Sequence, residues 1–184
     1  MKELSLNILD IAQNSVSAKA SEIEITVEID HKKNEFRLTI ADNGKGMTEE
    51  FLKTVTDPFT TTRTTRKVGM GISLLKLAAE QAGGRFDIQS KIGCGTTVTA
   101  VFQNDHIDRA PLGEIGQTIS ALASCNEEID FVYRHAIDGQ EFIFDTKQIK
   151  AALDGVSLKE PDVVLWMQDY ITEGIKKIGG GAEI

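Results

Sequence analysis

Asp10 and Asn14 stand four residues apart in a segment with helical apolar spacing, so a carboxylate and an amide project together from one rigid element. Oxygen ligands of that kind suit Mg²⁺, which keeps several waters and shares its shell with phosphate, and the carboxylate can polarise an attacking water. The run Asp42-Asn43-Gly44-Lys45-Gly46-Met47 puts a second carboxylate where a strand ends, beside glycines that allow a flat ligand close to the backbone. Such a carboxylate accepts from the exocyclic amine of adenine and is left unpaired against the carbonyl guanine carries there. Gly69-Met70-Gly71 opens a helix whose free amides and positive dipole end can receive phosphate. Arg63, Arg66 and Lys67, just upstream, add positive charge able to close over a triphosphate. Gly93-Cys94-Gly95-Thr96-Thr97 turns tightly into a strand and brings a hydroxyl to the same end. Taken singly, these are also what a solvated helix face, a hairpin turn, a helix start and a threonine-rich strand look like. Their joint order is what points to one pocket.

The elements that must position them are legible in the pattern. Leu4, Ile8, Ile11, Ala12 and Val16 recur as one face of a helix over residues 3–19, with Asp10, Asn14 and Ser17 on another face. Residues 22–29 alternate strictly, Ile23, Ile25, Val27 and Ile29 against Glu22, Glu24, Thr26 and Glu28, and Phe36, Leu38 and Ile40 repeat the alternation after a short polar loop. An antiparallel pair is expected there. A short helix over 48–55 leads into the stretch 58–67, rich in threonine and positive charge and without periodicity, which reads as a mobile loop. Gly69-Met70-Gly71 then starts a helix packed through Leu74, Leu75, Ala78 and Ala82 and stopped by Gly83-Gly84, before strands over 86–90 and 96–102. This order implies an α+β fold, a two-layer α/β sandwich with helices on one face of a mainly antiparallel sheet.

The stretch from about Leu4 to Phe102 resembles the GHKL ATPase superfamily, shared by DNA gyrase, the heat-shock chaperone of the ninety class, sensor histidine kinases and MutL. Residues 9–20, LDIAQNSVSAKA, look like its N box in the MutL and topoisomerase style; Asp42 to Gly46 look like the G1 box. Asp57-Pro58-Phe59-Thr60-Thr61-Thr62 resembles the phenylalanine box, Gly69-Met70-Gly71-Ile72 the G2 box, and Gly93 to Thr97 the last glycine box; residues 66–75 are similar in style to anti-sigma serine kinases. The resemblance implies a Bergerat-type ATP-binding fold with ATP and Mg²⁺ as ligands. Asn14 would hold Mg²⁺, Asp42 would read adenine, Asp10 would be the catalytic carboxylate, and Gly44, Gly46, Met47, Thr61, Arg63, Arg66, Lys67, Gly69, Met70, Gly71, Ile72 and Thr97 would line the nucleotide site. The hydrolysing members carry glutamate where this chain has Asp10, one methylene shorter, which bears on hydrolysis because catalytic geometry is sensitive to about an ångström. Thirteen residues precede Asn14, so a preceding helical segment with a phospho-accepting histidine is not expected within this sequence. The spacing His106-x-x-Arg109-x-Pro111-Leu112 imitates that histidine box without its acidic neighbour or its flanking helices.

Composition sets the frame: 184 residues, 41% hydrophobic and 26% charged, suit a soluble globular chain and exclude collagen-like and disordered classes. No apolar run reaches membrane-spanning length and no signal layout is present, so a cytoplasmic location is expected, with no membrane and no nucleic acid as partner. Cys94 and Cys125 fit neither a disulfide framework nor a metal site. Residues 1–103 carry 13 basic and 13 acidic side chains against 7 and 15 in residues 104–184, so the whole net charge of −8 lies in the second part. Residues 1–103 are therefore read as the ATP-binding domain and residues 104–184 as a small acidic α+β extension. The extension is expected to hold a helix from Pro111 to Ser124, a hairpin turning at Asp138-Gly139, and helices over 146–153 and 161–178. Phe131, Tyr133, Phe142, Phe144 and Trp166 are assigned to its core; the alternatives for the extension are that it extends the sheet, binds a protein partner or forms a homodimer. Three functional classes remain open at this point: a protein kinase acting on a serine, threonine or histidine of another protein, a slow ATPase working as a conformational switch, and a non-catalytic ATP-sensing module.

Overall fold

Ile23, Ile25, Val27 and Ile29 are buried and the glutamates between them are not, so the alternating stretch becomes β1 (Glu22–Asp30) of a six-stranded sheet. The structure is a computed structural model that describes residues 3–56 and 70–179. β1 pairs antiparallel with β2 (Glu35–Asp42), β2 with β4 (Gly95–Gln103), and β4 with β3 (Arg85–Lys91). On its other edge β1 pairs parallel with β5 (Asp130–Ile137), which pairs antiparallel with β6 (Gln140–Asp145). The order is thus β3-β4-β2-β1-β5-β6. Register aligns the apolar residues across strands: Ile25 faces Ile40 and Tyr133, Ile40 faces Val98, and Tyr133 faces Phe144.

The apolar face collects the helices into one core: α1 (Leu4–Ser17), α2 (Glu49–Thr54), α3 (Gly71–Gln81), α4 (Ile115–Cys125), α5 (Thr146–Leu153) and α6 (Pro161–Lys177). The expected two-layer α+β sandwich is present. α1 buries Leu4, Ile8, Ile11 and Ala12, and each fully buried aliphatic side chain is worth about 1.5–3 kcal/mol. α6 starts with Pro161 in its first turn, where a missing N–H costs nothing.

The helix expected from Pro111 begins only at Ile115. The carbonyls of Pro111 and Leu112 accept the Leu4 and Ser5 amides (2.9 and 2.8 Å), satisfying two otherwise unpaired N–H groups of α1. Residues 111 and 112 are thus held extended by a distant partner, a constraint that local propensity does not contain. The Asp138-Gly139 turn appears as expected, with φ of 48° and 88° at its two residues. Asp138 also accepts from the His31 amide (3.0 Å), tying the β5–β6 turn to the β1–β2 turn.

Phe131, Tyr133 and Phe144 are buried as expected and Phe142 partly so, but Trp166 is 47% exposed and stacks on Tyr170 with ring centroids 5.1 Å apart. Beside Tyr133 lies His135, fully buried, with Nδ1 2.7 Å from the tyrosine hydroxyl and Nε2 without a partner among the described residues. Burial pushes the His135 pKa down to about 4. Both cysteines are free and exposed. Among the described residues no helix is long and apolar enough to cross a membrane.

Candidate functional site

The second half of α1, the end of β2, the start of β4 and the loop after β2 enclose a cavity of about 460 Å³. Ile11, Ile40, Val98, Ile72, Val55 and Met47 give it apolar walls, and Asn14, Ser15, Ser17, Asp42, Lys45, Thr48 and Thr96 supply polar groups. Walls of that kind with a few convergent polar groups suit a flat, largely apolar ligand anchored at one edge.

Asp42 stands at such an edge. Its Oδ2 accepts the Ser15 hydroxyl (2.6 Å) and its Oδ1 accepts the Gly44 amide (2.8 Å), so both oxygens are oriented and each retains accepting capacity. Ser15 is buried one residue after Asn14, on the side of α1 that faces the sheet. The loop carrying Asp42 is pinned by Asn43, whose Oδ1 accepts the Ser21 and Glu22 amides (2.9 and 3.0 Å) and whose Nδ2 donates to the Ser21 hydroxyl (2.9 Å). Lys45 donates its amide to the Ala18 carbonyl (3.0 Å), fastening the same loop to the end of α1. Gly95 holds φ of +100° against the Asp42 carbonyl; a side chain there would collide with that backbone, so glycine is required.

Asn14 lines the cavity, and its Nδ2 is buried without a partner among the described residues. The two ends of an amide are interchangeable by a flip, so Asn14 has a terminal atom free for a ligand, oxygen included. That fits a site for one hard cation that brings most of its shell as phosphate and water. Among the described residues no group of three or more His, Cys, Asp or Glu gathers into a metal cage, so the amide is the candidate ligand. Asp10, one turn earlier, is exposed and is not part of the cavity wall. It packs against the start of α3: a Cβ on Gly71 would lie 2.9 Å from the Asp10 Cβ, so only glycine lets the two helices approach here.

Of the other expected site residues, Gly46, Met47 and Ile72 line the cavity, Gly44 orients Asp42, and Met70 is 63% exposed ahead of α3. Thr97 does not face it. Residues alternate faces along β4, so Thr96, the register partner of Asp42, points to the cavity while Thr97, paired with Ala41, belongs to the opposite face. Thr61, Arg63, Arg66, Lys67 and Gly69 lie outside the described residues. Ser15 and Thr96, which line the cavity, and Ser90, whose hydroxyl bonds Met47 and Thr96 behind the wall, were not among the expected site residues. Counting the two-residue alternation back from buried Val98 would have found Thr96; nothing in the sequence marks the two serines.

A helix-covered, mainly antiparallel sheet with a half-apolar cavity at one end defines a ligand-binding α+β domain. A family model for histidine kinase-, DNA gyrase B- and HSP90-like ATPases matches residues 1–106, and the chain belongs to this family. A sensor protein of Shewanella frigidimarina is 33% identical over 103 residues, 55% of this chain and 16% of that protein. Sensor protein SrrB of Staphylococcus aureus is 35% identical over 79 residues, 40% of this chain and 14% of that protein. The chain therefore spans less than a fifth of the length of these relatives. The Aquifex aeolicus MutL ATPase domain complexed with ADP matches with a TM-score of 0.50 at 15% identity, covering 84% of this chain and 70% of that one. The N-terminal domain of a DNA repair protein matches with 0.53 at 16% identity, covering 78% and 52%. At such identities the likeness is one of fold.

Proposed function

We propose that this chain binds Mg-ATP in the cavity and uses it either for phosphotransfer to a separate protein or to drive a conformational switch. The observation that carries the reading is the doubly oriented Asp42 carboxylate at the edge of an apolar-walled cavity that Asn14 also lines. Adenine would lie between the aliphatic walls with its amine toward Asp42, and Asn14 would hold Mg²⁺ on the phosphate side. When bound, the ion would neutralise phosphate charge and orient the terminal phosphoryl group. Arg63, Arg66 and Lys67 would contribute positive charge to the phosphates. In this reading residues 1–103 carry the nucleotide and the acidic residues 104–184 offer a docking surface to a protein partner.

A second reading, a non-catalytic ATP sensor, draws support from Asp10. It is the shorter acid where hydrolysing relatives carry glutamate, and its side chain lies against Gly71 outside the cavity wall. Incubation of the purified chain with Mg²⁺ and γ-labelled ATP, alone and with soluble lysate, separates the readings. Label on a protein identifies a kinase, and free phosphate that an Asn14→Ala variant does not release identifies a switch ATPase. Neither product, with saturable binding retained, identifies a sensor; absence of saturable Mg-ATP binding overturns all three.

A further inference from the structure

Ser90, near the end of β3, sits opposite Thr96 and makes three hydrogen bonds at the edge of the cavity. Its hydroxyl donates to the Gly95 carbonyl (2.9 Å), accepts the Met47 amide (2.9 Å), and lies 2.8 Å from the Thr96 hydroxyl. A serine hydroxyl owns one proton and two lone pairs. Hydroxyl protons are assigned from the network, and one assignment alone satisfies all three contacts: Ser90 donates to Gly95, accepts from Met47 and accepts from Thr96. The Thr96 proton is thereby used up, and toward the cavity Thr96 offers lone pairs alone. Asp42, its register partner on β2, offers the same: an ionised carboxylate only accepts.

We infer that Ser90 is a positioning residue that makes this edge of the cavity acceptor-only and thereby sets its selectivity for a base bearing an exocyclic amine. The inference rests on the nucleotide reading of the cavity and extends it. An amine carries two N–H groups and can serve both acceptors, directly or through an ordered water; a carbonyl in its place can serve neither. Asp42 alone does not secure that discrimination, because a threonine hydroxyl free to rotate could turn its proton to a carbonyl and accommodate it. Ser90 closes that route by holding the proton on the far side. Its bond to the Met47 amide places the same hydroxyl against the loop that carries Asp42, so one side chain sets both the wall and its hydrogen-bonding sense.

The test compares the dissociation constants of Mg-ATP and Mg-ITP by calorimetry, because inosine carries a carbonyl where adenosine carries the amine. The wild-type chain is expected to favour ATP by at least about tenfold, the size of one hydrogen bond to a charged group. Ser90→Ala frees the Thr96 proton and should shrink the ITP-to-ATP ratio severalfold, mainly by improving ITP, while Ser90→Thr, which keeps the hydroxyl, should restore it. Thr96→Val, which removes the hydroxyl, should also narrow the ratio. A merely structural Ser90 would weaken both nucleotides alike, so an unchanged ratio in Ser90→Ala overturns the inference. Should Ser90→Ala lack the wild-type circular dichroism spectrum, Thr96→Val decides, and an unchanged ratio there overturns it. A wild-type chain that binds neither nucleotide overturns the nucleotide reading itself, whereas one that binds ATP and ITP equally overturns the selectivity inference alone.

Discussion

The two ends of one sheet face are filled in opposite ways. Over β5 and β6 the space is taken by Phe131, Tyr133 and Phe144 against Met167 and Ile171, all at most 1% exposed. Over β2 and β4, where α1 and α3 lie, the same face opens into a cavity of about 460 Å³ whose polar groups point inward. Each end also holds a buried polar atom that finds no partner among the described residues, in different surroundings. At the filled end Thr146 accepts the Phe131 amide (2.8 Å) while His135 Nε2 goes without a partner among the described residues, as Asn14 Nδ2 does at the hollow end, where it faces open space and not packed side chains. The difference teaches that stability and ligand capacity are drawn from separate parts of a continuous core: close packing leaves no room for a guest, and a cavity forgoes contacts that would stabilise the chain.

Substitutions should respect that division. The largest effect on stability is expected from Phe131→Ala, which should cost about 3–5 kcal/mol in a urea unfolding curve and leave the ITP-to-ATP ratio of the folded fraction unchanged. A shifted ratio would break the separation of the two ends. Acidification should act through the filled end as well. His135, held down to about 4 against an ordinary 6.5, stays neutral in the folded chain while the unfolded chain takes up its proton. Its effect on stability is therefore nil above about pH 6.5, grows as the pH falls, and reaches a loss of about 3 kcal/mol near pH 4. A His135→Phe variant should flatten the unfolding profile across that window, and a profile as steep as wild type would remove His135 from the account. The smallest expected change is at the hollow end. Asp42→Asn should weaken Mg-ATP binding by about 1.5–3 kcal/mol in a calorimetric titration and lower the thermal midpoint slightly, since the amide keeps one acceptor for the Ser15 hydroxyl and the Gly44 amide where the carboxylate has two.

Legibility in the sequence divides along similar lines. The strands and helices with strong periodicity were readable because one buried face imposes alternation or a helical stripe, as Ile23 to Ile29 and Leu4 to Ala12 show. That Asp42 and Asn14 share one cavity was readable because their residue types sit at a strand end and on a helix face. Contacts between distant parts of the chain were not. The parallel pairing of Ile23 with Phe131 has no local signature, and the delayed start of α4 follows from Pro111 and Leu112 serving the amides of α1. Thr97 failed for Thr96 by a parity of one, since a tight turn fixes where a strand starts more loosely than which face each residue takes. Ser15 and Ser90 carry no signal because a small hydroxyl on a regular element gains meaning only from what register brings opposite it.

The parallel partnership of β1 and β5 also sets an order of events. The strand that covers the second edge of β1 is synthesised about a hundred residues after it, so at ~5–20 residues per second that edge stays open for about 5–20 seconds on the ribosome. An open strand edge rich in isoleucine is an invitation to pair with another nascent chain. Glu24 and Glu28, on the face of β1 that the helices never cover, place like charges opposite one another in any parallel, in-register pairing of two such strands. The acidic stripe that favours the Arg134 charge in the finished sheet would thus disfavour such a pairing while the chain is being made.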